Sequence, residues 1–197
     1  MRRELSTLVL LAAVAAPAAG QGPANEEQRQ KMQAMMAAMQ PGPEHARLAR
    51  LAGTFDVEIT MWSGPGGDSM KAAAVAENRM ILGGRFLESR TTGGQPPMQI
   101  ESLSLLGFDR RHGKYTSIGL DTWGTYYVTA AGTMRDSLVT MHGTDDDPIA
   151  GHTQVYDVNL RFVDADTYIT DVTFTDEVHS RGKGPFKAFE AVHRRRK

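Results

Sequence analysis

Cysteine is absent from the 197-residue sequence, and this absence excludes several kinds of chemistry at once. Without thiols the chain can form no disulfide bond, no thiolate metal site and no iron–sulfur cluster, and it has no cysteine nucleophile. The sequence also lacks an excess of charge, since 22 basic residues balance 23 acidic ones. No overall field therefore attracts nucleic acid or an anionic membrane, and no nucleic-acid partner is predicted.

Catalytic signatures are lacking as well. The sequence has neither a Gly-x-Ser-x-Gly elbow nor a His-Glu-x-x-His helix. The segment from Gly107 to Lys114 resembles a phosphate loop, but five residues separate its glycines and Tyr115 replaces the required Ser or Thr. A hairpin turn explains it better. Asp145 to Asp147 match no calcium loop and are interpreted as an acidic turn. We predict no catalytic residue, no metal site and no required cofactor, which favours a protein that is not an enzyme.

The first twenty residues have the pattern of a secretory signal. Arg2-Arg3 supply a positive start, the apolar run from Leu8 to Ala16 is too short to span a bilayer, and Ala18-Ala19-Gly20 suits a signal peptidase. We predict a signal peptide over residues 1–20. The mature protein is then exported to the periplasm or the extracellular space, with no stable membrane insertion after cleavage.

Residues 21–42 form a polar leader with one predicted helix, capped by Asn25 and ended by Pro41-Gly42. Its apolar residues fall at helical spacing on one face: Met32, Met35, Met36 and Met39. This stripe is interpreted as a flexible apolar face rather than a copper(I) site, because no His interleaves it. A second short helix over Pro43–Ala52 leads directly into the first strand, where it can plug one end of a barrel.

From Thr54 onward the apolar residues recur with period two, which is typical of half-buried strands. Turn chemistry separates the runs, for example at Ala131-Gly132 and from Asp145 to Gly151. No helix is predicted after residue 53. The pattern predicts an all-β, roughly ten-stranded antiparallel up-and-down barrel over residues 43–197. Its strands are expected near 54–62, 70–78, 84–92, 98–108, 113–120, 125–131, 134–142, 153–163, 166–175 and 185–194. The basic end, Arg194 to Lys197, is interpreted as a solvated tail.

An ordered set of short motifs resembles the bacterial family known as domain of unknown function 1579, whose members look lipocalin-like. The motifs are Pro43-Glu44-His45, Gly53 to Val57, Met61-Trp62, Leu82 to Leu87, Gly107-Phe108-Asp109, Lys114-Tyr115, Asp121, Gly124-Thr125 and Asp147-Pro148. The family usually has Trp at the position of Phe55 and Tyr at that of Phe108. The resemblance implies a calycin-like barrel and no assigned chemistry. A looser analogy to nitrobindin-type barrels implies haem binding through a His on the last strand, a position that His193 would occupy.

The fold-level analogy favours a barrel that binds a small, largely apolar molecule. Candidate ligand contacts are Trp62, Arg85, Phe86, Asp121, Trp123, Tyr127 and His142. An inward Arg85 would need a carboxylate partner such as Asp121 or Glu101. The aromatic residues fit a wall or core role equally, and the strand register is open. Two alternatives remain: a haem-dependent enzyme of the nitrobindin kind using His193, and an interaction module that makes contact through the methionine helix.

Overall fold

The computed structural model of the protein describes residues 23–96, 99–149 and 151–197. The predicted signal peptide, residues 1–20, lies outside them. Helix α1, Pro23–Ala38, begins two residues before the expected cap Asn25. The four methionines of the stripe are each more than half exposed. Across the described residues, no helix combines the length and the hydropathy that a membrane crossing requires.

Ten antiparallel strands form a closed barrel in which each strand pairs with its neighbours in sequence. They are β1 (Gly53–Trp62), β2 (Ser69–Ile81), β3 (Phe86–Gly93), β4 (Ile100–Asp109), β5 (Lys114–Asp121), β6 (Val128–Arg135), β7 (Leu138–Asp147), β8 (His152–Phe162), β9 (Thr167–Phe174) and β10 (Phe186–Arg195). Pairing of β1 with β10 closes the sheet, so no edge is left unpaired. The predicted up-and-down barrel is confirmed.

Strand β1 shows why these residues form a barrel wall. Phe55, Val57 and Ile59 are buried, whereas the alternating Asp56 and Glu58 are exposed. Successive side chains of a strand point to opposite faces, so this alternation assigns the first set to the interior. The outward carboxylates meet cations on neighbouring strands, as in the 3.1 Å contact of Lys71 Nζ with Glu58 Oε1. The register of the ladder then assigns an inner and an outer face to each of the remaining nine strands.

The turn between β6 and β7 lies at Asp136-Ser137, so the turn predicted at Ala131-Gly132 was wrong. Asp136 adopts a φ of 55°, which Asp tolerates in a two-residue hairpin. Gly132 lies inside β6 for a different reason: a Cβ there would lie 1.8 Å from the carbonyl oxygen of Thr140. The glycine therefore permits close strand approach. In the same region β7 extends to Asp147, so the acidic run ends a strand and is not wholly a turn.

One helix does occur after residue 53, contrary to expectation. This helix, α3, spans only Glu177–Ser180 between β9 and β10. The Asp176 carboxylate caps it by accepting a hydrogen bond from the backbone N–H of His179 at 2.8 Å. It ends at Arg181, which adopts a left-handed φ of 50°. A helix of one turn has no apolar periodicity to detect, and the capping pair was its only signal.

Helix α2, Pro43–Ala49, closes one end of the barrel, here called the closed end. Leu48 is fully buried against the core, and the Arg47 guanidinium donates to the Tyr115 hydroxyl at 3.1 Å. Inside the barrel, the Asn78 amide donates to the carbonyl oxygen of Leu51 at 2.9 Å. Arg195 donates to the carbonyl oxygens of Arg50 and Ala52, both at 2.7 Å. Arg195 therefore ties the end of the last strand to the segment that follows α2, and the interpretation of the basic end as a solvated tail was wrong for Arg195.

Candidate functional site

The opposite end of the barrel, here called the mouth, is surrounded by the loops after β1, β3, β5, β7 and β9. In an up-and-down barrel alternate connections lie at the same end, and the other connections share the closed end with α2. Within residues 38–96, 99–149 and 151–197, α2 packs against β3 and β4 at the closed end, and the one-turn helix α3 lies among the loops of the mouth.

The inner wall of β3–β5 carries small and polar side chains. Its positions follow from the register, in which Ser104 pairs with Ser89 on one side and Gly119 on the other. Seven inward residues of this stretch are small and half-buried: Ser89, Thr91, Gly93, Ser102, Ser104, Ser117 and Gly119. The wall is polar only in part, because the inward Leu87, Ile100 and Tyr115 are buried. Hydroxyl groups and absent side chains on an inner wall leave room and hydrogen-bonding capacity that a packed hydrophobic core would not have.

The facing inner wall carries large side chains that are buried almost completely. These are Phe55, Val57 and Ile59 on β1, Val139 and Met141 on β7, Tyr156 and Leu160 on β8, and Tyr168 on β9. Tyr156 extends over Gly143, where a Cβ would lie 2.3 Å from its ring. The Tyr156 hydroxyl then donates to the carbonyl oxygen of Thr129 at 3.2 Å. The interior is thus asymmetric, with bulk on one side and small polar groups on the other.

Exposed apolar side chains project from the loops of the mouth. Trp123 is 48% exposed, Tyr126 65%, Tyr127 63%, Ile149 98% and Val178 59%. The loop after β5 is fixed at its start, because the Asp121 carboxylate accepts from the backbone N–H of Trp123 at 2.8 Å. The Trp123 indole donates to the carbonyl oxygen of Gln99 at 3.1 Å, across to the loop after β3. Three of the predicted contacts, Asp121, Trp123 and Tyr127, therefore belong to one loop of the mouth.

The other predicted contacts lie away from this loop, and none of them points into the barrel. Trp62 ends β1 with outward parity, next to the inward Met61. Arg85 lies in the turn after β2 at the closed end, and its guanidinium donates to the carbonyl oxygens of Met39 at 2.9 Å and Leu82 at 3.2 Å. The structure thus pairs Arg85 with backbone oxygens and does not bring it to Asp121 or Glu101.

Phe86 and His142 lie on the outer wall, where both line a cleft of about 580 Å³. The register assigns this face, since Phe86 and His142 alternate with the inward Leu87 and Met141. Apolar side chains of Ile81, Leu105 and Ile118 make much of the cleft lining. His142 contacts the Asp157 carboxylate at 2.5 Å, so its imidazole is held at the cleft edge. The cleft is a concave apolar surface outside the barrel.

His193 faces the interior at the closed end, where it is 6% exposed. Its ring stacks on Tyr168 at 4.0 Å with an interplanar angle of 10°, and its Nε2 lies 3.2 Å from the Thr170 hydroxyl. Burial lowers the pKa of His193 to about 3, so the imidazole is neutral at ordinary pH. Nδ1 is buried without a hydrogen-bond partner. The haem role of His193 stays a prediction.

A family model described as "Protein of unknown function (DUF1579)" matches residues 40–195, which contain the entire barrel. The chain belongs to the DUF1579 family. A redesigned β-barrel among solved structures is 14% identical to this DUF1579 chain, with a TM-score of 0.34, over 76% of this chain and 95% of that one. A likeness this distant assigns no site. No curated protein matches the chain.

One cluster of this DUF1579 protein was missed by the sequence analysis. His152, Asp176 and His179 meet at the mouth, and each offers one potential metal-ligand atom within 4.8 Å of the other two. The Asp-x-x-His spacing of the last two residues was a local signal for a capped turn. His152 lies 24 positions before Asp176 in the chain, and only the pairing of β8 with β9 brings them together.

Proposed function

We propose that this protein binds a small, largely apolar molecule with a polar end inside the barrel, and that the molecule enters at the mouth. The observation that carries the proposal is the set of half-buried Ser, Thr and Gly residues on the inner wall of β3–β5, whose hydroxyl groups face the bulky apolar wall across the interior. Ligand sites in proteins combine an apolar lining with a few polar groups that orient the ligand. The interior supplies an apolar lining on one side and polar groups on the opposite side.

The ends of the barrel support the same direction of entry. At the closed end, the segment that joins α2 to β1 accepts hydrogen bonds from Asn78 and Arg195, so passage there would break these contacts. At the mouth, exposed aromatic side chains such as Tyr126 and Tyr127 offer apolar surface to an arriving molecule. Exposed apolar groups gathered at one end are typical of a binding surface. Export of the mature chain to the periplasm or the extracellular space remains part of the proposal and is supported only by the pattern of residues 1–20.

Two adjacent residues of β4 provide a sharp test, because Ser104 faces inward and Leu105 faces the outer cleft. The probe is 1-anilinonaphthalene-8-sulfonate, an apolar molecule with a charged end, titrated while its fluorescence is recorded. We expect Ser104→Leu to fill the inner wall and weaken binding about tenfold or more. Leu105→Ser should change the affinity less than about twofold. Near-UV circular dichroism of both variants checks that the barrel remains folded.

The opposite result would overturn the proposal. If Leu105→Ser abolishes probe binding and Ser104→Leu leaves it intact, the outer cleft is the binding surface. That result would favour a second candidate function, an interaction module, whose supporting observation is the apolar cleft of about 580 Å³ on the outer wall. If the folded wild-type protein does not bind the probe, the interior is closed to molecules of this size, and the proposal fails.

A further inference from the structure

We propose that His152, Asp176 and His179 form a binding site for a divalent transition-metal ion of the zinc class at the mouth of the barrel. The three residues come from three elements. His152 begins β8, Asp176 follows the end of β9, and His179 lies in α3. Strand pairing and the single turn of α3 bring them together. The metal site does not depend on the ligand-binding function proposed above.

The donor set suits such an ion. One imidazole nitrogen from each histidine and one carboxylate oxygen lie within 4.8 Å of one another. Zinc binds imidazole nitrogen and carboxylate oxygen at about 2.0–2.2 Å, which places the ligand atoms of a tetrahedral shell about 3.3 Å apart. Side-chain shifts of about 1 Å therefore close the cluster around an ion. Three protein ligands leave the fourth position of a tetrahedral site for water or another molecule.

A second observation points to a missing partner at this cluster. The Nε2 atom of His152 is buried and has no hydrogen-bond partner. A buried polar atom left unsatisfied costs about 1–3 kcal/mol, and coordination to a metal ion would remove that cost. Among the described residues, only two other side-chain atoms share this state, Asn78 Oδ1 and His193 Nδ1, and both lie at the closed end. His152 is the one such group at the mouth.

The surrounding contacts hold the other two ligands in place. The His179 ring stacks on the inward Phe174 at 4.0 Å with an interplanar angle of 11°. The Asp176 carboxylate accepts hydrogen bonds from the backbone N–H groups of His179 at 2.8 Å and Val155 at 3.3 Å. The ligand set therefore includes a carboxylate that backbone N–H groups hold in a fixed position.

Hydrogen bonding between a histidine and a carboxylate is not by itself a metal site. His179 Nδ1 lies 3.0 Å from Asp176, and similar pairs occur on the barrel surface at His112 with Asp109 and at His142 with Asp157. Those surface pairs are not part of a three-residue ligand cluster among the described residues. The second imidazole, supplied by His152, distinguishes the mouth cluster. His112 thus provides a matched control.

The test is a zinc titration of the chelator-treated protein by calorimetry, repeated with Co²⁺ to record visible absorption bands. We expect one Zn²⁺ per chain with a Kd in the micromolar range or below. His152→Ala and His179→Ala should each weaken binding about tenfold or more, and His112→Ala should leave it unchanged. Asp176→Asn, which keeps an Asx cap for α3, should weaken binding with little loss of helix capping.

Thermal unfolding adds a readout that does not depend on the titration. A ligand that binds the folded state raises the Tm, so Zn²⁺ should raise the Tm of the wild type and of His112→Ala but not of His152→Ala. The proposal fails if the wild type shows no saturable binding up to about 1 mM Zn²⁺. It also fails if His152→Ala binds as the wild type does, or if His112→Ala removes the binding.

Discussion

At the closed end of the barrel the inward side chains are large and almost fully buried, whereas part of the inner wall of β3–β5 carries half-buried Ser, Thr and Gly. Phe55 and Tyr168 pack edge to face at 5.0 Å at the closed end, and Arg195 lies 4.6 Å above the Phe55 ring. On the inner wall of β3–β5, Ser104 faces the interior and is only half-buried. The alternation of the strands therefore produces two kinds of interior surface. One consists of large side chains packed on one another, and the other of small polar side chains that stay partly exposed.

Buried polar atoms without a partner occur at both ends of the barrel. At the closed end the Asn78 amide donates to the Tyr168 hydroxyl at 2.8 Å, but Asn78 Oδ1 and His193 Nδ1 have no partner. Burial raises the pKa of the Tyr168 hydroxyl, so this pair stays neutral. At the mouth, His152 has a buried nitrogen without a partner. His152 differs from the other two because Asp176 and His179 offer potential metal-ligand atoms beside it.

The largest expected effect is the loss of stability when the packing of the closed end is disrupted. Phe55→Ala removes a ring that is 1% exposed and leaves a cavity beneath Arg195 and Tyr168, so the free energy of unfolding should fall by about 3–5 kcal/mol. Urea denaturation measures this. Phe55→Leu keeps most of the volume and should cost less than about 1.5 kcal/mol. A loss below about 1 kcal/mol for Phe55→Ala would show that the closed end is not the stabilising part of the barrel.

A smaller effect is the pH dependence of stability that the closed end produces. His193 has a folded-state pKa of about 3. In the unfolded chain a histidine titrates near 6.5, so the unfolded state binds the proton first. The stability contributed by neutral His193 is therefore complete above about pH 6.5 and decreases by up to about 1.4 kcal/mol per pH unit as the pH falls below that value. Burial also lowers the pKa of His45, which acts in the same direction.

His193→Phe keeps the ring that stacks on Tyr168 and removes the titrating group. Urea denaturation between about pH 7 and about pH 5 should show a clear loss of stability in the wild type and a flatter dependence in the variant. The window ends there because carboxyl groups with lowered pKa values, such as Glu88 and Asp176, contribute at more acidic pH. Equal slopes for the two proteins would contradict a buried, neutral His193.

The barrel itself could be predicted from the sequence because its strands carry their own signal. In β1, buried and exposed residues alternate from Phe55 to Ile59, and ten such runs with short turns leave few other topologies. The errors came where a local signal had two physical meanings. Gly132 indicated a turn but serves close strand approach, and the true turn at Asp136-Ser137 has no glycine.

The candidate site was much less predictable, because it depends on register. A shift of one residue exchanges the two faces of a strand, so Phe86 and His142 could not be assigned to the outer wall from the sequence. Arg85 was expected within a strand but lies in a turn, which follows from β3 beginning at Phe86. His152 belongs to its cluster only through the pairing of β8 and β9. A periodic pattern in the sequence identifies a single strand. A site depends on how several strands pair, and the pattern does not give that pairing.

The smallest expected effect on stability concerns the exposed aromatic residues of the mouth, where the effect on binding should be larger. The double variant Tyr126→Ser/Tyr127→Ser removes two rings that are 65% and 63% exposed, so the free energy of unfolding should change by less than about 0.5 kcal/mol. If these rings form the entrance, the affinity for 1-anilinonaphthalene-8-sulfonate should fall about threefold or more. The exposed Val163, in the turn after β8 at the closed end, provides the matched control as Val163→Ser. That change should affect neither stability nor probe binding. A double variant that loses stability but keeps its affinity would assign the aromatic loop to the core of the fold and would remove the distinction between the two ends.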